Sequence, residues 1–239
     1  GSYNVRIWAE ELQLIDISGL LISISDLHLG NMPRMKSLVL NSITDTRELN
    51  LNTFCPNVES INIGSFADLE HLEVEHCSRL RNIQIYSNPK LTSMELGNHP
   101  EVEELYCSYN GFSSFSLKGL PKLRSVDLGY NSALASLELD ENNGINALLI
   151  SGWELHCDHN RLTRLLVPEG QYFGHLYCHS NQLGEAALKT LFVSLGQVPK
   201  PTPEYPRPPQ CRISYSDNPG NKESLKEILK EKNWIVDEE

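Results

Sequence analysis

The feature that most constrains this chain is a short motif that recurs along most of its length. Six fragments align: INIGSF from Ile61, IQIYSN from Ile83, LYCSYN from Leu105, VDLGYN from Val126, LHCDHN from Leu155 and LYCHSN from Leu176. Each is apolar at its first and third positions, and five end in Asn: Asn88, Asn110, Asn131, Asn160 and Asn181. The step is 21–22 residues, with one of 29 between Val126 and Leu155. Apolar residues two apart describe a short strand with one inward face. One such strand cannot bury that face alone, so successive turns must stack into a parallel sheet over a continuous core.

A second apolar series runs about halfway between: LNLN at Leu49, LEVE at Leu72, MELG at Met94, FSLK at Phe115, LELD at Leu137 and LLVP at Leu165. LVLN at Leu38, LHLG at Leu27 and IDIS at Ile15 carry the rhythm upstream. The Asn sits where the chain leaves its strand, and its side chain there is expected to bond backbone groups of adjacent turns as a ladder. Phe66 takes that place in its own turn, and ENNGINALLISGW is an extra segment for which a bulge or displaced strand is expected.

The L-x-C-x-x-N-x-L pattern at Leu105–Asn110, Leu155–Leu162 and Leu176–Leu183 resembles bacterial leucine-rich-repeat proteins of the short, about 21-residue type. The resemblance covers about three quarters of the chain. It implies a leucine-rich-repeat solenoid, α/β by class with mainly short parallel strands, and a helical C-terminal cap. It further implies a cell-surface or secreted protein of the Bacteroides-like kind, often lipid-anchored upstream.

Boundaries follow from the pattern. Residues 1–11 are expected to cap the N-terminus, 12–183 to form the solenoid, and 184–239 to close it, as one domain. GEAALKTLFVSL from Gly184 has helical apolar spacing, VPKPTPEYPRPPQ is an extended proline-dense connection, RISY a further strand, and KESLKEILKEKN a second helix before a final Trp234–Val236 segment.

Composition narrows the partners. Asp and Glu total 31 against 20 Lys and Arg, a formal charge of −11, which repels phosphate backbones and argues against nucleic acid. No apolar run is long enough to span a membrane. Neither a phosphate-binding glycine loop nor a nucleophile elbow is present, so no cofactor and no catalysis is expected, and a monomer is expected. Cys107, Cys157 and Cys178 fall on the inward third position, where a reduced thiol serves as a small apolar side chain.

The outward residues of the Asn-bearing strands carry the functional signal. The column between the inward pair reads Asn62, Gln84, Tyr106, Asp127, His156, Tyr177, and Tyr86, Tyr109, Tyr130, Trp153, His159, His175 and His179 flank it. Rigid amphipathic rings supply contact area at low entropic cost. Tyr86, Tyr106, Tyr109, Tyr130, Trp153, His156, His159, Tyr177 and His179 are the candidate binding residues, for a protein or glycan. Two rivals stand beside this reading: a metal-dependent enzyme at His156, Asp158, His175 and His179, and a surface spacer. Register would set Glu154 beside His175 and Asp158 beside His179. The opposite series is acidic, with Glu48, Glu70, Glu73, Glu75, Glu95, Glu138 and Asp140 outward, as a solvated face would be.

Overall fold

The structure is a computed structural model and describes residues 3–7, 10–18, 22–143, 154–204, 206 and 208–237. The architecture is α/β, with a ten-stranded parallel sheet and few helices, compatible with a solenoid-like winding. The sheet takes one strand from each turn, in chain order: Leu14–Ile17, Ser37–Asn41, Ser60–Gly64, Asn82–Tyr86, Glu104–Tyr106, Ser125–Asp127, Glu154–His156, His175–Tyr177, Arg212–Ser214 and Ile235–Val236. Register never slips: Leu38, Ile61, Ile83, Leu105, Val126, Leu155, Leu176 and Ile213 face one another in a single row. All eight are fully buried. A one-residue slip would turn this whole row to solvent, so burial itself specifies the pairing.

The long step does not break the row. Ser125 pairs with Glu154 and Asp127 with His156 as if the interval were ordinary. The displaced strand expected within 141–153 falls largely on residues outside those described. The second apolar series is inward but less regular. Glu48–Asn50 pairs with His71–Glu73 and Ser136–Glu138 with Arg164–Leu166. Met94 and Leu117 are buried without belonging to a strand. Near the N-terminus, Tyr3–Ile7 pairs with Ile22–Leu29 in a separate three-stranded sheet, so the Leu27 pulse leaves the long sheet while those at Ile15 and Leu38 stay in it.

The Asn side chains form the expected ladder. Asn110 accepts from the Asn88 backbone N–H at 3.0 Å, and Asn160 accepts from that of Asn131 at 2.6 Å. Each also donates inward: Asn131 Nδ2 reaches the carbonyls of Cys107 at 3.0 Å and Leu128 at 2.9 Å. Phe66 replaces a rung with a fully buried ring, and its N–H is taken by Asn88 Oδ1 at 3.0 Å. A sixth Asn belongs to the ladder. Asn218 Oδ1 accepts from Leu183 N–H, and its Nδ2 donates to the carbonyls of Cys178 and Tyr215, each at 2.9 Å. ISYSDN is thus a further copy of the motif, hidden in sequence because Tyr215 stands where Cys or Leu is usual.

That Tyr closes the end. Tyr215 is buried and meets Phe192 edge-on at 4.9 Å. Phe192 lies on the helix Glu185–Ser194, whose buried Leu188, Leu191 and Phe192 cover the last turns. The second helix, Glu223–Glu231, buries Leu225 and Leu229, and Trp234 donates its indole N–H to the Gly196 carbonyl at 2.9 Å. An uncapped end would leave apolar side chains and strand edges in water.

Candidate functional site

The residue before each ladder position has a left-handed backbone. Ser42, Ser65, Ser87, Tyr109, Tyr130, His159, Ser180 and Asp217 have φ between 51° and 62°. This turn throws the chain out of the strand while the next side chain points inward. Its cost for a non-glycine residue is about 1–2 kcal/mol. The N–H of this residue bonds the next turn: Tyr109 N–H to Gly129 O at 3.1 Å, Tyr130 N–H to Asp158 O at 3.1 Å, His159 N–H to His179 O at 3.2 Å. Successive residues of this row are therefore held one strand spacing apart, about 4.8 Å.

Rings at that spacing stack. Tyr109 and Tyr130 lie 4.3 Å apart with planes 7° from parallel, and Tyr130 and His159 lie 4.2 Å apart at 9°. Tyr109 is 53% exposed and Tyr130 41%. The neighbours push the Tyr130 phenol above its ordinary value, first by partial desolvation and then through Tyr109 and the Asp158 carboxylate, so it remains a neutral hydroxyl. Its oxygen is 3.4 Å from His159 Nε2. Because the rings are stacked, that hydroxyl lies above the imidazole and not along its in-plane lone pair, so the contact is stacking rather than a proton relay.

A second stack lies on the strand face. Tyr177 stacks with His156 at 4.1 Å and with His175 at 3.6 Å. His156 Nε2 is also 3.5 Å from Glu154. His175 Nε2 faces Asp237 at 3.1 Å and Ser214 Oγ at 3.0 Å. Ser, His and Asp meet here, but one nitrogen serves both partners, whereas a nucleophile triad needs the acid on the opposite ring nitrogen. Ser214 is moreover fully buried. Asp237 also takes the Arg212 guanidinium, so this cluster ties the final segment to the sheet.

The structure therefore redistributes the histidines and Asp158. Asp158 does stand near His179, 3.9 Å away, but its shorter contact is His159 Nδ1 at 2.9 Å. Glu154 and His175 are register partners, yet each side chain also makes the separate contacts just given. His156, Asp158, His175 and His179 do not converge. Among the described residues, the one His/Cys/Asp/Glu group whose ligand atoms fall within 4.8 Å of one another is Asp158, His159 and His179.

The remaining candidates are scattered. Tyr106 sits in the strand column between Gln84 and Asp127. Tyr86 lies apart from the stacks: its ring covers Gly64, where a Cβ would stand 2.5 Å away, and its hydroxyl donates to Asn41 Oδ1 at 3.2 Å. Trp153 lies outside the described residues. Sequence reasoning missed the left-handed row and Asp237. The row was visible in principle, since the residue before each Asn reads Ser, Tyr, Tyr, His, Ser. Asp237 gave no signal, because only sheet closure brings it to His175.

All six cysteines are buried and unpaired by disulfides. Burial pushes the Cys55 and Cys77 thiols up to about 12 and that of Cys211 up to about 11. Cys107, Cys157 and Cys178 are raised by burial as well. None is a thiolate at neutral pH, so none is poised as a nucleophile. The acidic residues of the opposite series are exposed or half-buried, as expected. Among the described residues no helix is long and apolar enough to cross a membrane. No protein-family model matches the chain, and no curated protein matches it.

Proposed function

We propose that the chain is a non-catalytic recognition module of the short leucine-rich-repeat type, which holds a protein or glycan against its stacked rings. The repeat type is supported by the 21–22-residue step and the six ladder asparagines. The outer-surface placement implied by the sequence resemblance belongs to the same proposal.

One observation carries the recognition reading. Three consecutive turns put a ring, exposed at Tyr109 and Tyr130 and half-buried at His159, at a backbone position that Ser42, Ser65, Ser87 and Ser180 fill elsewhere. Neither the turn nor the core needs those rings, and solvent disfavours their apolar faces. Exposed rigid rings in a row are what a contact surface requires. Tyr177 and His156 extend the same surface onto the strand face.

The test is an array of glycans and extracellular proteins probed with the purified chain beside a Tyr109→Ser/Tyr130→Ser variant. Serine is already used at this position, so the fold should survive. Saturable binding that weakens about 30-fold or more in the variant, as loss of an anchor of about 2 kcal/mol requires, supports the reading. Equal binding by both proteins sinks it.

A further inference from the structure

We infer that Asp158, His159 and His179 form a binding site for one divalent transition-metal ion of the zinc class, at the end of the ring row. The three donor atoms belong to two adjacent turns. Asp158 Oδ2 is 2.9 Å from His159 Nδ1 and 3.9 Å from His179 Nε2, and all three donors lie within 4.8 Å. Tetrahedral zinc with bonds of about 2.0 Å separates its ligands by about 3.3 Å, so these spacings bracket what the ion needs. The two imidazoles stand edge to face, 5.1 Å apart at 85°, and so approach one point from different directions.

Charge points the same way. Asp158 is buried, and among the described residues its ion-pair partners are the two imidazoles, with no Lys or Arg. A buried carboxylate needs compensation. A second carboxylate adds to the demand. Asp127 and Asp158 both close on Gly129, where a Cβ would stand 3.2 Å from Asp127 Oδ1 and 3.5 Å from both Asp158 oxygens. Asp127 Oδ1 is held by the Gly129 N–H at 2.9 Å, which leaves it beside the site as a fixed negative charge. Two imidazoles with a carboxylate suit zinc, copper or nickel better than magnesium or calcium. The buried thiols do not compete for the ion. Through His159 the ion would also hold the ring that stacks on Tyr130.

The proposal does not depend on the recognition reading, because its test uses no ligand but the metal. The tag-free chain is stripped over a chelating resin and titrated with Zn²⁺ by calorimetry at neutral pH, with Mg²⁺ as the contrasting ion. One equivalent should bind, with no comparable uptake of Mg²⁺. His159→Ser and Asp158→Asn should each weaken binding at least about tenfold, since even indirect supports of a metal cost that much. His159 is half exposed at most on its ring and Ser occupies the same position in other turns, so that variant keeps the fold. His156→Ala should bind as the parent does. No saturable uptake up to about 0.1 mM Zn²⁺ would overturn the site, as would equal binding by His159→Ser, or equal loss in His156→Ala.

Discussion

Tyr130 and His159 are 29 residues apart in the chain, yet their rings stack at 4.2 Å. Tyr109 and Tyr130, only one ordinary repeat apart, stack at nearly the same 4.3 Å. The 29-residue step therefore leaves the row undisturbed. Pairing of Ser125–Asp127 with Glu154–His156 sets the distance.

That stack should be measurable as a coupling. A double-mutant cycle of Tyr109→Ser and Tyr130→Ser, read by urea denaturation, should give about 0.5–1.5 kcal/mol of interaction. A coupling indistinguishable from zero would mean that the rings lie together without attracting one another.

The ladder should cost more to break. Asn131→Ala removes one of the two side-chain donors at the carbonyls of Cys107 and of Leu128, which keep Asn110 Nδ2 and Asn160 Nδ2 respectively. A loss of about 1–3 kcal/mol is expected for two such hydrogen bonds. Asn142, an exposed Asn 11 residues further on, is the control, and its replacement by Ala should stay within about 0.5 kcal/mol.

His99 should make stability sensitive to acid. It is fully buried, and burial pushes its imidazole below the ordinary value. A histidine buried neutral binds its proton more readily when unfolded, so the unfolded state gains protons first as pH falls. Its stabilising contribution is complete above the unfolded value of about 6.5 and declines below it. One turn later the equivalent residue, also followed by Pro, is the buried Leu120. His99→Leu should thus gain on the parent in urea midpoint as pH drops from about 7 to about 5.5. Parallel curves would exclude His99 as the source.

The thiols should be silent until the chain unfolds. All six are buried, and raised by that burial. A chromogenic disulfide reagent should report essentially none in the native protein and six in guanidinium. Rapid native reaction would show that the turns open locally, since a buried thiol reacts only through such openings.

Much of this molecule was legible because its information is periodic. Inward residues two apart, repeated every 21–22, identify a parallel stack wherever the chain is read. The outward column Asn62, Gln84, Tyr106, Asp127, His156, Tyr177 is a direct consequence of that register. The N-terminal branch into a second sheet was not legible, because the Leu27 and Leu38 pulses look alike in sequence. Asn218 was missed because a Tyr interrupts the alternation just before it.

The chemistry of the surface divides along the same line. Which rings share a turn position is a matter of counting residues, and counting alone puts Tyr109, Tyr130 and His159 in one row. Which partner each histidine finds is not, because contacts across turns depend on side-chain direction and on where the chain end docks. His175 turns to Asp237, supplied from beyond the last helix, while His179 approaches Asp158 one turn back. Backbone periodicity is a local property repeated, so sequence determined it. Convergence of side chains at one point depends on distances below a strand spacing, and only the tertiary structure decided those.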